Sequence, residues 1–444
     1  MRILIRNAEI VTQNARGDIF NGDVLIEDSR ITGVGNPAIQ AERVDKVIEA
    51  AGKTLIPGFV QTHLHLTQTL FRGQADDLEL LDWLRQRIWP LEASHDEESN
   101  YWSALLGIGE LIESGTTALV DMETVSHTES AFRAMAESGI RALSGKVMMD
   151  HGQNVPAGLL EDTANSIEQS LKLLERWHGY DDGRLQYAFC PRFVVSCTEE
   201  LLTQVRDLSA YYDVMVHTHA SENRSEIAIV EAERGLRNIA YLDHIGLANE
   251  RLIIAHGIWL DEAERRILAE RGVKVTHCIS SNLKLASGLA DIPGLLAEGI
   301  TVGLGADGAA CSNNLDMFQE MRLAALVHKL KYGPTAMPAR QIFEMATMGG
   351  ARVMRLENEI GSIEAGKRAD LVLLDLNQLH AFPSSEVDPI SRIVYSANKH
   401  DVETVLINGR VVMEDHRLLT IDRAAVLRNA NQAISRVMRR AGLR

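Results

Sequence analysis

The chain has 444 residues, 45% hydrophobic and 24% charged, which suits a folded enzyme too long for one ordinary core, so a large domain with a smaller companion is expected. A formal charge of −16 with no compensating Lys/Arg cluster repels phosphate backbones and anionic headgroups, which argues against nucleic acid and membrane as partners. There is no run of eighteen apolar residues and no basic-then-apolar leader, and Cys190, Cys197, Cys278 and Cys311 lack C-x-x-C spacing, so a cytoplasmic protein with reduced, buried thiols is expected.

Along the chain, residues 1–54 read as hairpins, ILIRNAEIVT and DVLIEDSRITGVG. From Pro57 onward, short apolar runs alternate with amphipathic ones. Eight strands are expected at 55–65, 116–121, 141–150, 185–193, 214–220, 252–260, 273–281 and 301–307. Helices fill the gaps. DEAERRILAERG, for example, carries a cap at Asp261, a capping box with Glu264 and a stop at Gly272, and SNYWSALLGIGELIESG ends at Gly115. Eight buried strands separated by helices predict an α/β fold, a closed (β/α)8 barrel over 57–358. An open doubly wound sheet is the alternative, but no G-x-G-x-x-G follows the first strand. Residues 369–414 return to hairpin patterning, with Asn408-Gly409 as a tight turn, so 1–56 and 359–420 are expected to join in one small β-sandwich. The basic amphipathic stretch at 421–444 predicts a helix docked on the protein itself.

In such a barrel, chemistry sits at the C-terminal ends of the strands. His63 and His65 lie two apart at the end of the first expected strand, hence on one face. The fifth ends in His217, His219 and Glu222, the sixth carries His256, and the eighth ends at Asp307. Paired histidines, a third histidine and a carboxylate make a nitrogen and oxygen set for one divalent ion that keeps a position open for water.

Several stretches together resemble the amidohydrolase superfamily, in its branch of aminohydrolases acting on purines, nucleosides and s-triazines. They are PGFVQTHLHLTQTLFRGQADDLELLDWL at 57–84, HTHASEN at 217–223, IIAHGIWL at 253–260, THCISSNLKLASG at 276–288, GLGADGAACSNNLDMFQEMRLA at 303–324 and GSIEAGKRADLVLLD at 361–375. The resemblance implies that His63, His65, His219 and Asp307 bind one divalent metal ion, zinc first, while Glu222, His256 and Asp307 carry the chemistry. It selects His219 over His217 because the family's ligand lies three residues before the catalytic glutamate. His217 is then a polar residue under the site, and His277 a candidate outer contact. One departure is visible, since Ile279 stands where the family has proline. The implied reaction is hydrolytic deamination, in which metal-activated water replaces an exocyclic amino group on an N-heteroaromatic ring and ammonia leaves.

Substrate-facing candidates are Gln68, Trp89, Glu92, Arg192 and Phe193. Glu92 in IWPLE resembles the ribose acceptor of nucleoside members, whereas Arg192-Phe193 in CPRFVVS resembles the guanine-deaminase pattern. Adenosine-type nucleosides (5'-deoxyadenosine, methylthioadenosine, S-adenosylhomocysteine) are the first expectation. Guanine or another oxopurine, or an s-triazine amino- or chlorohydrolysis, is the alternative. A two-metal ring-amide hydrolase would need a carboxylated lysine, and none lies near Arg192; a cytidine-deaminase site would need P-C-x-x-C, which is missing. Homo-oligomer formation is compatible with the sequence, which carries no dedicated interface motif.

Overall fold

The computed structural model describes residues 1–35, 43–152 and 155–443. Eight parallel strands form its central sheet: β1 (Phe59–Leu64), β2 (Thr116–Met122), β3 (Arg141–Gly145), β4 (Leu185–Tyr187), β5 (Val216–Ala220), β6 (Leu252–His256), β7 (Lys274–His277) and β8 (Val302–Leu304). Their order is β4-β3-β2-β1-β8-β7-β6-β5. Parallel bridges Phe189 to Val216 and Phe193 to His219 join the continuation of β4 to β5 and close the circuit. The fold is therefore the expected (β/α)8 barrel, and its strand residues are almost all buried, as strands covered on both faces must be.

The strands are shorter than their apolar runs suggest. The run at 55–65 divides between two sheets: Thr54–Pro57 pairs with the terminal strands, and β1 starts only after Gly58. The run at 141–150 breaks after Gly145, with Val147–Met148 pairing separately with Cys190–Pro191. The run at 273–281 stops at His277, and Ile279–Lys284 is a helix instead of strand. Ile279 occupies the first helical position, where proline is also favoured, so its departure from the family pattern leaves the helix start in place. Two helix signals hold in detail: Asp261 and Glu264 form a reciprocal capping box before Glu262–Arg271, and Gly272 closes that helix at φ 66°.

The two chain ends build one nine-stranded sheet. It runs from the hairpins Arg2–Val11, Ile19–Glu27 and Arg30–Gly35 through Thr54–Pro57 and Leu371–Leu374 to Val402–Ile407 and Arg410–Glu414. Ile3, Val24 and Ile31 from one end share an apolar cluster with Leu371, Leu373 and Leu406 from the other, so the sheet wraps its own core. Asn408 and Gly409, at φ 51° and 74°, make the expected left-handed hairpin turn. A buried two-point ion pair, Arg141 to Asp370 at 2.6 and 2.9 Å, ties β3 to this sheet. The helix Arg423–Arg440 buries Val426, Ala430, Ala433 and Val437, and its arginines meet acids beside the helix Glu97–Glu113: Arg436 with Glu98 at 2.9 Å and Arg440 with Asp96 at 2.5 Å. Among the described residues no helix is long and apolar enough to cross a membrane.

Candidate active site

At the C-terminal mouth of the barrel, β1 delivers His63 and His65, β5 delivers His219, and the turn after β8 delivers Asp307. One donor atom from each of these four residues lies within 4.8 Å of the others. Both His63 Nε2 and His65 Nε2 sit 3.3 Å from Asp307 Oδ1, and His65 Nε2 sits 3.2 Å from His219 Nε2. A tetrahedral zinc with bonds of about 2.0–2.1 Å would hold its donor atoms about 3.3 Å apart, so the spacing fits such an ion.

The protonation pattern fits it as well. His65 Nδ1 donates to the Met122 carbonyl and His219 Nδ1 to the Arg192 carbonyl, each at 2.7 Å, which leaves both Nε2 lone pairs facing each other. Two facing lone pairs at 3.2 Å repel unless a cation lies between them. His63 Nε2 is buried and has no hydrogen-bond partner. Burial, reinforced by the neighbouring His63, pushes His65 down to about 3, and burial likewise holds His63 and His219 below the usual histidine range. Burial alone would raise Asp307, but His63 at 3.3 Å, with the surrounding His65 and His256 imidazoles, holds it well below the usual carboxylate range. Neutral histidines and an ionised carboxylate are the metal-ready forms. A second triad, His63, His256 and Cys278, also converges, but burial raises the Cys278 thiol far above its normal range and keeps it protonated.

Beside this cluster, His256 Nε2 lies 3.5 Å from Glu222 Oε2 and 3.9 Å from Asp307 Oδ2. Burial pushes Glu222 up to about 7, opposed by His256 and reinforced by the Asp307 charge. Burial would lower His256, yet Glu222 and Asp307 outweigh it and raise it. Ser221, His256 and Asp307 all hold left-handed backbone, at φ 55°, 73° and 62°, and His256 and Asp307 line a cleft from these strained positions.

The cleft opens on the group, with His65, His219, Glu222, His256 and Asp307 in its floor. Gln68, Arg192 and Phe193 line it as expected from the sequence, whereas Trp89 and Glu92 are not among its lining residues. Glu92 is 3% exposed and binds Arg192 at 2.6 and 3.3 Å while accepting from Gln68 Nε2 at 2.9 Å, so it holds two cleft residues from behind. Trp89 faces a second cavity beyond Phe193. Sequence reasoning missed Leu80, Trp83, Leu84, Glu226 and Leu285, all in the wall. It also missed Asn282, whose Oδ1 accepts from His256 Nδ1 at 2.9 Å, and Ser281, whose hydroxyl donates to Asp307 Oδ2 at 2.7 Å. Both sit in the quoted THCISSN stretch, on the short helix Ile279–Lys284. His217 lies beneath the cluster against His63, and His277 faces away from it toward His328.

With this geometry in place, the sequence profile of the amidohydrolase family matches residues 54–412. The chain belongs to the amidohydrolase family. This amidohydrolase is 41% identical over 433 residues to a 5'-deoxyadenosine deaminase of Methanobrevibacter smithii, covering 97% of each chain. It is 40% identical to a 5-methylthioadenosine/S-adenosylhomocysteine deaminase of Desulforudis audaxviator, covering 99% of each. Among solved structures, an adenosine deaminase from Xanthomonas campestris with bound zinc superposes with a TM-score of 0.91 at 34% identity, covering 98% of each chain.

Proposed function

We propose that this amidohydrolase is a hydrolytic deaminase of adenosine-type nucleosides, such as 5'-deoxyadenosine, methylthioadenosine or S-adenosylhomocysteine. In this reading His63, His65, His219 and Asp307 hold one zinc ion. The observation that carries it is Glu222, a buried carboxyl with a pKa near 7, beside a four-donor cluster in a cleft open to a small molecule. When bound there, the ion supplies Lewis acidity, which makes water a nucleophile near neutral pH. The chain's own groups do the rest. Glu222 donates its proton to the ring nitrogen as the water oxygen bonds to the amino-bearing carbon, so no charge accumulates on the ring. Asp307, ionised, takes the proton the water gives up and passes it to the amine, which leaves as ammonia with the C–N bonding pair, while the hydroxyl proton of the intermediate returns to Glu222 as the carbonyl forms. His256, fixed by Asn282 and shifted toward its protonated form by Glu222 and Asp307 against the effect of burial, orients the attacking oxygen. Free, buried cysteines suit a reducing, cytoplasmic setting.

The nucleoside preference rests on the relatives' substrates. A second reading, guanine or another oxopurine, is favoured by Arg192 and Gln68 in the cleft wall, where they offer an oxo group a cationic donor and an amide. An ammonia-release screen of the zinc-loaded protein against adenosine derivatives, guanine, other oxopurines and triazines decides between them. Higher kcat/KM on 5'-deoxyadenosine than on guanine supports the first reading, and the reverse order replaces it with the second.

A further inference from the structure

His65 and His219 each have a backbone carbonyl to fix which nitrogen carries the proton, but His63 has none. Its Nδ1 lies 2.7 Å from the Nε2 of His217, another imidazole, and both rings are fully buried. A neutral imidazole has one N–H and one lone pair, so two rings in contact leave the direction of that hydrogen bond open unless a third group fixes it. The third group is the Ile253 carbonyl, 3.3 Å from His217 Nδ1. A carbonyl only accepts, so His217 must carry its proton on Nδ1 and present a lone pair at Nε2. His63 then donates from Nδ1, and its own Nε2 is left as a lone pair facing Asp307 Oδ1 at 3.3 Å, with no hydrogen bond between them, an arrangement that a cation held by both would satisfy.

We propose that His217 is a positioning residue, the middle link of a relay from the Ile253 carbonyl through His217 to His63 that fixes the metal-binding tautomer of His63. The inference rests on the ligand set proposed above. His217 is held for this role by its own backbone, since its N–H donates to the Phe189 carbonyl at 2.9 Å across the seam that closes the barrel. An imidazole acceptor is also a better base than a carbonyl. His63 is thereby made the most electron-rich of the three histidines, as outer partners of metal-binding histidines generally do.

The test compares His217→Gln, whose amide oxygen replaces the Nε2 acceptor, with His217→Leu, which fills similar space without one. Zinc affinity is measured by chelator competition, and the unfolding midpoint of each metal-free protein is recorded alongside. The leucine variant is expected to bind zinc about 10- to 100-fold more weakly, with glutamine restoring most of the loss. Equal losses in both variants, or no loss in either, would overturn the relay while leaving the ligand set standing. Wild-type protein that binds no zinc would remove both. Should the leucine variant not fold, 15N spectra of histidine-labelled, metal-free wild type decide: an Nδ1–H tautomer at His63 supports the relay, and an Nε2–H tautomer overturns it.

Discussion

Replacing Glu222 by glutamine keeps the shape of the side chain and removes the proton it can give. Burial sets its carboxyl near 7, so the acid form is about nine-tenths populated at pH 6 and about one-tenth at pH 8. The sign follows from the role: the group works as an acid, so kcat/KM is full below about 7 and falls as pH rises through it, about tenfold between pH 6 and 8. Glutamine cannot donate at any pH. The variant is expected to lose at least about 100-fold in kcat/KM, roughly 3 kcal/mol of barrier, and to lose the alkaline limb with it. Ammonia release measured across the pH range, with metal content determined on the same samples, checks both points. The Gln variant should hold as much metal as wild type, because Glu222 is outside the four-donor cluster. Turnover within a few fold of wild type, or an unchanged alkaline limb, would refute the assignment of Glu222 as the acid.

Other side chains give independent expectations. His63→Ala should release the metal, so full occupancy by elemental analysis would contradict its place among the ligands. Glu92→Ala leaves the buried Arg192 guanidinium unpaired and is expected to cost about 3–5 kcal/mol of stability, read as a lowered unfolding midpoint; an unchanged midpoint would show the pair to be dispensable. Asn282→Ala removes the partner of His256 Nδ1 and should lower kcat about 10- to 100-fold with metal content retained, whereas a change in KM alone would place Asn282 in binding. Gly305→Ala brings a Cβ to 2.7 Å from the His63 carbonyl oxygen, so the variant should fold but bind metal poorly, and unaltered affinity would show that β1 yields without consequence.

The barrel was legible because buried parallel strands leave continuous apolar runs, and the convergence of the four donor residues because strand ends put His63 with His65, His219 with Glu222, and Asp307 on one rim. Strand lengths were overread where an apolar run continues into something else, as at Pro57-Gly58 and at Ile279, because apolar character does not separate a strand from the helix or second sheet that follows it. Glu92 illustrates a different limit. Its carboxylate near the mouth suggested a ligand contact, but its partner Arg192 lies 100 residues away, and only the folded chain brings them together. Asn282 and Trp83 were passed over for a related reason: a polar or aromatic residue on a short helix has no spacing signal, and its use depends on where the loop lays it. His217 was seen and set aside as a bystander, because its meaning comes from a carbonyl on the next strand.

The most direct test of a one-metal hydrolytic deaminase is to strip the protein with chelator, return zinc in measured steps, and follow ammonia release from 5'-deoxyadenosine. Activity should be absent in the stripped protein, rise in proportion to zinc and level off at one equivalent per chain. Turnover without metal, or a rise that continues to two equivalents, would contradict the account.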